Sequence, residues 1–504
     1  MKIVFLLSKA IVSIIILWLS IETGNANNLV ISGGTRNVPY TLNTVTFNVA
    51  WDNSWNVAGL PANHDAIWVF LKYRECGQSG EWNHALLSTT MTDHTFGATV
   101  TYAKPILTTD KWGNPGAHNT GVLIRRSTLG TGTTNGTVTL KIVGASNAII
   151  LDPTKEYDIA VIGIEMVQVQ SGSAFAGDGN GSTYNFSDMI SSSPVNFSSE
   201  ATTSVRNYAG AYSVNVAAQF PKGYDEFYCM KYEISQGQYA DFLNNIGALA
   251  GSRYPNVALA NMYNLINNAG VYTAAVGGVG DCTDRACNFL SANDVLTYLD
   301  WAALRPMTEF EFEKACRGAS GYQANDFAWA ASGAGNIVEC KNVSGATSGV
   351  EICTDLNANC NYNSTNSIIG AGGSGFGAGI QGPVGVGIFA RDATQTRATT
   401  GATYGGIMEM SGNVSELAIQ PYTTNGYPGT PSPYTGLWGD GQISAAGIYN
   451  VLNWPLNGTY ISRRGGGFLT TQNECTISFR TPGNNVDLTD YISRYSSSGG
   501  RGVR

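Results

Sequence analysis

Nine cysteines and four histidines are the side chains in this sequence best able to hold a soft metal or act as nucleophiles. No two cysteines form a Cys-x-x-Cys pair and no histidine lies near them, which argues against zinc. In an oxidising compartment close neighbours pair, and Cys282 with Cys287, or Cys353 with Cys360, are near enough in sequence. An odd count leaves at least one cysteine unpaired within the monomer. His64, His84, His94 and His118 follow no ligand spacing and read as scattered strand-end residues. There is no Gly-x-Ser-x-Gly elbow, and no histidine beyond His118 with which a serine nucleophile could pair. "GDGNGS" (Gly177 to Ser182) has the look of a phosphate or calcium loop. It lacks a following Lys-Ser/Thr, and the twelfth position from Asp178 is Met189 where a calcium loop needs a glutamate, so a flexible turn is expected. Glu309, Glu311 and Glu313 share one helical stretch and read as solvated or capping groups.

The elements that must position any site come from two kinds of sequence. A chain of 504 residues is too long for one core, so two domains are expected. Hydrophobic residues make up 43%, enough for ordinary cores, while only 13% are charged. A net charge of -8 with no basic run argues against nucleic acid as a partner. The N-terminus has Lys2 and Lys9, an apolar run from Ile11 to Leu19, and small residues at Gly24 and Ala26. That pattern predicts a signal peptide over 1–26, cleavage near Ala26, and a secreted or cell-surface protein with no retained transmembrane segment.

Residues 27–158 read as a β-sandwich. "TVTFNVAW" sets Val45, Phe47, Val49 and Trp51 on one face, and "AIWVFLKY", "TGVLIRR" and "VTLKIVG" are read as the same kind of half-buried strand. Helical signals come later. Ser235 and Gln238 form a capping box before Tyr239, Phe242, Leu243 and Ile246, and Gly247 closes the helix. A second helix starts at Ser291 with Asp294 in its first turn, and a third runs from Thr308 to Gly318. Some 180 Gly- and Asn-rich residues follow, and they need disulfides, metal ions or side-chain hydrogen bonds to hold them.

Five landmarks in order carry a resemblance. "IEMVQVQSGSAFAGDG", "YCMKYEISQGQYADFL", "LRPMTEFEFEKACRG", "MSGNVSEL" and "RRGGGF…SFR…GGRGVR" resemble the formylglycine-generating enzyme (sulfatase-modifying factor) family over residues 159–504. The resemblance implies an α+β, C-type-lectin-like fold with much irregular structure. In the oxidising members two cysteines five positions apart bind copper, and by that resemblance the second is Cys475 and the first is replaced by Thr470. A threonine hydroxyl is a poor ligand for Cu(I), so the copper site is incomplete. The branch that uses histidine-held iron is excluded from this domain, which has no histidine.

The resemblance also implies a structural calcium site at Glu409, Gly412, Val414 and Glu416, through two carboxylates and two backbone carbonyls. Glu416 could alternatively cap or pair with an arginine. A second calcium site involving Asn361 lacks its usual aspartate near Ser374. The expected groove is lined by Phe468, Thr470, Asn473, Arg480, Tyr491, Arg494 and Tyr495. Aromatic and Asn/Ser/Thr side chains suit an extracellular glycan or protein ligand. The expected function is therefore a calcium-stabilised ligand-binding or surface module. The alternatives are a formylglycine-generating-type oxidase, or a diversified receptor of a diversity-generating retroelement, with "LTTQNE" and "YISRYSSS" as variable segments.

Overall fold

The computed structural model describes residues 28–504 except 108, 110–118, 145–150, 180–185, 187–192, 207–212, 256–263, 265, 275–282, 330–336, 345–350, 364–381, 392–394, 424–428 and 481–490. The expected signal segment, His118, Cys282 and Ser374 lie outside the described residues. Among those described, no helix is long and apolar enough to cross a membrane.

Six strands of five or more residues open the fold among the described residues: β1 (Val30–Arg36), β2 (Thr44–Asn56), β3 (Asp65–Glu75), β4 (Val122–Arg126), β5 (Gly130–Val143) and β6 (Tyr157–Val169). β1, β2 and β5 lie side by side in one antiparallel sheet, and β6, β3 and β4 in another. The period-two reading of β2 holds: Val45, Phe47, Val49 and Trp51 are all buried, in a core shared with Ile67, Val69, Leu71, Val122 and Ile124 of the second sheet.

β3 departs from the half-buried expectation, since Asp65 through Lys72 are buried without a break. Ile67, Val69 and Leu71 face the first sheet, whereas Ala66, Trp68 and Phe70 pack into a second core with Tyr228, Tyr298 and Trp301. The outer face of β3 is thus covered by the C-terminal half of the chain. β6 crosses the expected boundary at 158/159. It pairs with β3 over Tyr157 to Val167, and its end, Met166 to Val169, pairs with β7 (Phe227–Met230). The sheet is continuous across the two halves.

Three helices of nine or more residues follow among the described residues: α1 (Gln236–Asn245), α2 (Ala292–Trp301) and α3 (Glu309–Arg317). The capping box expected at Ser235/Gln238 is present, and the starts read at Ser291 and Thr308 carry boxes too, with Asp294 and Glu311. Ile246 caps α1 and Gly247 follows with φ of 55°, the left-handed position a glycine adopts without strain. A small sheet sets β8 (Met307–Thr308) parallel to β9 (Glu416–Ile419), with β10 (Ile461–Arg464) antiparallel on its other side.

The long irregular region is held partly as anticipated, although the cysteine pairing differs. Cys353 is joined to Cys340, and Cys360 and Cys287 are free thiols. Sequence proximity misassigned the partner because residues 343–344 and 352–353 form a short antiparallel ladder that brings Cys340 to Cys353. Arg391 donates to the carbonyls of Asp355, Leu356 and Ala358, and Asp355 accepts from the amides of Lys341 and Asn342.

Polar groups are buried where the two halves meet. Lys72 Nζ donates to the carbonyls of Trp301 and Gly441 at 2.8 and 2.5 Å. His64 Nε2 lies 2.9 Å from the Tyr228 hydroxyl, and burial, helped by the Arg125 charge, lowers its pKa to about 4. A histidine depressed in the folded state stabilises above its unfolded value near 6.5, and that stability is lost as pH falls toward 4. Urea denaturation across this window should show wild type losing up to about 3 kcal/mol from this group, and His64→Gln should flatten the acid limb.

Candidate functional site

The C-terminal site begins with charges buried behind α3. Glu309 and Glu313 are fully buried, contrary to the solvated reading, and only Glu311 performs the capping role. Arg464 reaches both, with 3.2 Å to Glu309 and 2.6 Å to Glu313, while Arg480 holds Glu309 at 2.6 Å and stacks on Phe186. Arg317 binds Glu313 and, at 3.0 Å, Asp326. Buried carboxylates persist only when they are paired and hydrogen-bonded, and every one of these is. The periodicity of α3 could not reveal this, because two of the partners, Arg464 and Arg480, come from segments more than 100 residues later.

A second cluster lies on the turn that leads into β9. Arg501 is fully buried and donates through Nε and Nη2 to Glu416 Oε1 at 3.1 and 2.9 Å. It also donates to the carbonyls of Glu409, Met230 and Lys231. Glu233 accepts from the amide of Val414 at 2.9 Å and from the side chain of Asn413 at 2.5 Å. The anticipated pairing of Glu416 with an arginine therefore exists, but it uses one oxygen. Glu416 Oε2 and Glu409 Oε2 are both buried without a hydrogen-bond partner. Burial pushes Glu409 up to about 7; burial, opposed by Arg501 and reinforced by the Glu409 charge, pushes Glu416 up to about 8. Burial also raises Glu233, with Glu416 adding to it. Asn361 Oδ1 is likewise buried and unpartnered, while its amide nitrogen donates to Asn413 Oδ1 at 3.1 Å. The one group of three cysteine and carboxylate ligands found close together among the described residues is Cys340, Cys353 and Asp355, whose two sulfurs are already bonded to each other.

The loop after β10 forms the floor of a cleft of about 400 Å³. Thr470 Oγ1 sits 3.7 Å from Cys475 Sγ, so the two positions singled out five apart in sequence do meet. Gly466 makes this possible, since a Cβ there would come within 2.9 Å of the Cys475 sulfur and 2.7 Å of Thr470 Oγ1. Of the expected groove residues, Thr470 and Tyr495 line the cleft. Phe468 is fully buried, and Arg480 is consumed by Glu309. Tyr491 points its hydroxyl to Tyr449 at 2.6 Å, and Arg494 is bound to Asp294 at 2.7 Å. Asn473 is exposed on the adjoining 3-10 turn, outside the cleft lining. The lining that sequence reasoning missed includes Ser415 and Arg463, while Glu474 and Ser496–Ser498 fall in the two segments named as variable in the receptor alternative. One signal was available: Arg463 and Arg464 are neighbours on a strand and must face opposite ways. Arg464 goes inward to the carboxylates and Arg463 outward to the cleft.

A larger cavity, about 500 Å³, lies where the two halves meet and is lined by Trp68, Lys104, Tyr228, Trp438 and Arg504 among others. Arg504 is stacked between the Trp68 and Trp438 rings at 4.2 and 4.3 Å. Of the groups picked out by their chemistry in the sequence, Glu311 lines it.

The profile of the sulfatase-modifying factor enzyme 1-like domain matches residues 182–492, more than half of the chain. Among solved structures the chain is similar to PvdO from Pseudomonas aeruginosa, with 14% identity, 68% of this chain and 94% of that chain covered, and a TM-score of 0.32. No curated protein matches the chain. Strand alternation gives a direct test of the site's construction. Arg464→Met should cost about 3 kcal/mol in urea denaturation because it takes the shared cation from two buried carboxylates, which keep only Arg480 and Arg317, and Arg463→Met about 1 kcal/mol.

Proposed function

The chain belongs to the sulfatase-modifying factor enzyme 1-like family, and from that premise we propose that it is an exported, calcium-stabilised ligand-binding module that does not oxidise its ligand. In this reading residues 27–158 are a β-sandwich that carries the family domain. The observation that carries the proposal is the Thr470–Cys475 pair. The family's metal-binding position nearest the cleft holds a hydroxyl, which does not ionise near neutral pH and is a poor ligand for Cu(I). The cleft beside it is rich in hydroxyls, from Thr470, Tyr495 and Ser496–Ser498, with Arg463 and Glu474 at its margin. Such a lining suits a glycan or a polar protein surface, to which it offers adaptable hydrogen bonds around one aromatic ring.

Calcium fits the turn before β9. Glu409 and Glu416 each keep one buried oxygen without a partner, and hard carboxylate oxygens are what calcium takes. Glu409, Glu416 and the backbone carbonyls of Gly412 and Val414 would hold the ion. Its charge would offset three buried carboxylates that Arg501 and the nearby Lys231 balance incompletely. The role is structural, fixing the turn on which the cleft loop leans.

Two measurements check this. Chelator should lower the melting temperature of wild type, and Glu416→Ala should melt lower in calcium and ignore the chelator, because the binding contribution to stability is gone. An equal response in both proteins rules the site out. Incubated with a cysteine-containing sulfatase peptide and oxygen, wild type should form no aldehyde. Clear aldehyde formation overturns the non-oxidising reading and favours the oxidase.

A further inference from the structure

Three segments distant in sequence are stitched together beneath the cleft. Asn363 N donates to the Thr470 carbonyl at 2.9 Å, Asn413 N to the Asn361 carbonyl at 2.8 Å, and Phe468 N to the Asn413 carbonyl at 2.8 Å. These bonds bring Cys360 and Cys475 into one buried core. Cys360 Sγ donates to the Ser411 carbonyl at 3.0 Å, and Ser411 Oγ donates to the Cys475 carbonyl at 2.8 Å. Cys475 is close enough to add to the rise that burial gives the Cys360 thiol. Glycines clear the space on both sides: a Cβ at Gly412 would overlap the Cys360 sulfur, and one at Gly466 would crowd Cys475.

We propose that Cys360 and Cys475 are a disulfide-forming pair, and that their bond locks the segment before the candidate metal turn to the floor of the cleft. The second sulfur that the sequence around Cys475 lacks is supplied by the fold from Cys360. Oxidation removes two protons and two electrons. With oxidised glutathione as the oxidant, one cysteine thiolate attacks its S–S bond, releasing one reduced glutathione and leaving a mixed disulfide. The other thiolate then attacks the protein sulfur of that mixed disulfide, forming the Cys360–Cys475 bond and releasing a second reduced glutathione. Both thiols are fully buried, and burial raises the Cys360 thiol well above its ordinary value. Glutathione has no access to either sulfur in the closed core, so exchange belongs to folding, before these segments dock. Geometry and backbone contacts stand behind this pair independently of the ligand reading of the cleft.

The test is peptide mapping of the full chain, reduced, unfolded and refolded in a glutathione redox buffer, then quenched with an alkylating agent. The expected result is a cross-linked peptide joining Cys360 to Cys475, with four fewer alkylated cysteines than in protein refolded with dithiothreitol, since Cys340–Cys353 forms as well. In Cys360→Ser, Cys475 should be recovered alkylated, and Cys316→Ala, which alters a neighbouring buried thiol, should leave the cross-link intact. Recovery of both Cys360 and Cys475 alkylated from the redox buffer, or of either joined to another cysteine, overturns the proposal.

Discussion

Arg501 is a guanidinium with no access to water, and the C-terminal half is arranged around the need to satisfy it. Its donors reach Glu416, the carbonyl of Glu409, and the carbonyls of Met230 and Lys231 at the end of β7. One side chain therefore joins the strand shared with the N-terminal sheets, the turn before β9 and the chain's last residues. Removing one partner from a buried ion pair leaves the other charged in a medium that cannot solvate it, at a cost of several kcal/mol. Such an arrangement restricts the turn to one conformation. It also concentrates Glu233, Glu409 and Glu416 around a single strong cation, the electrostatic condition that favours a bound divalent ion.

A second ionic layer, Glu309 and Glu313 with Arg464 and Arg480, holds the cleft loop from behind. Because Arg464 is drawn inward, Arg463 is set facing the cleft by strand alternation alone. The chemistry available at the cleft is thus a consequence of charge pairing deeper in the protein. Thr470 and Cys475 meet there because Gly466 lets the loop close tightly on itself.

Much of this was readable from local sequence. Capping boxes at Ser235, Ser291 and Thr308 marked all three main helices, and the alternation from Val45 to Trp51 marked β2, because these signals act over a few residues. The spacing of Thr470 and Cys475 likewise survived folding. What the local pattern could not carry was pairing at a distance. Arg480 looked like a groove residue until Glu309 claimed it, and Phe468 looked exposed until its loop turned it inward. Cys353 found Cys340 across a short ladder, and Cys360 was left beside Cys475. β3 looked half-buried because nothing in its sequence announces that the C-terminal half will cover its outer face.

The proposed function rests on the Thr470 hydroxyl beside Cys475 at the cleft and on the unpartnered carboxylate oxygens of Glu409 and Glu416 on the adjacent turn. Metal analysis of the full chain, purified without chelator and equilibrated with calcium and Cu(I) together, tests this most directly. The account predicts calcium in stoichiometric amount and no retained copper. Stoichiometric copper with no calcium would contradict it.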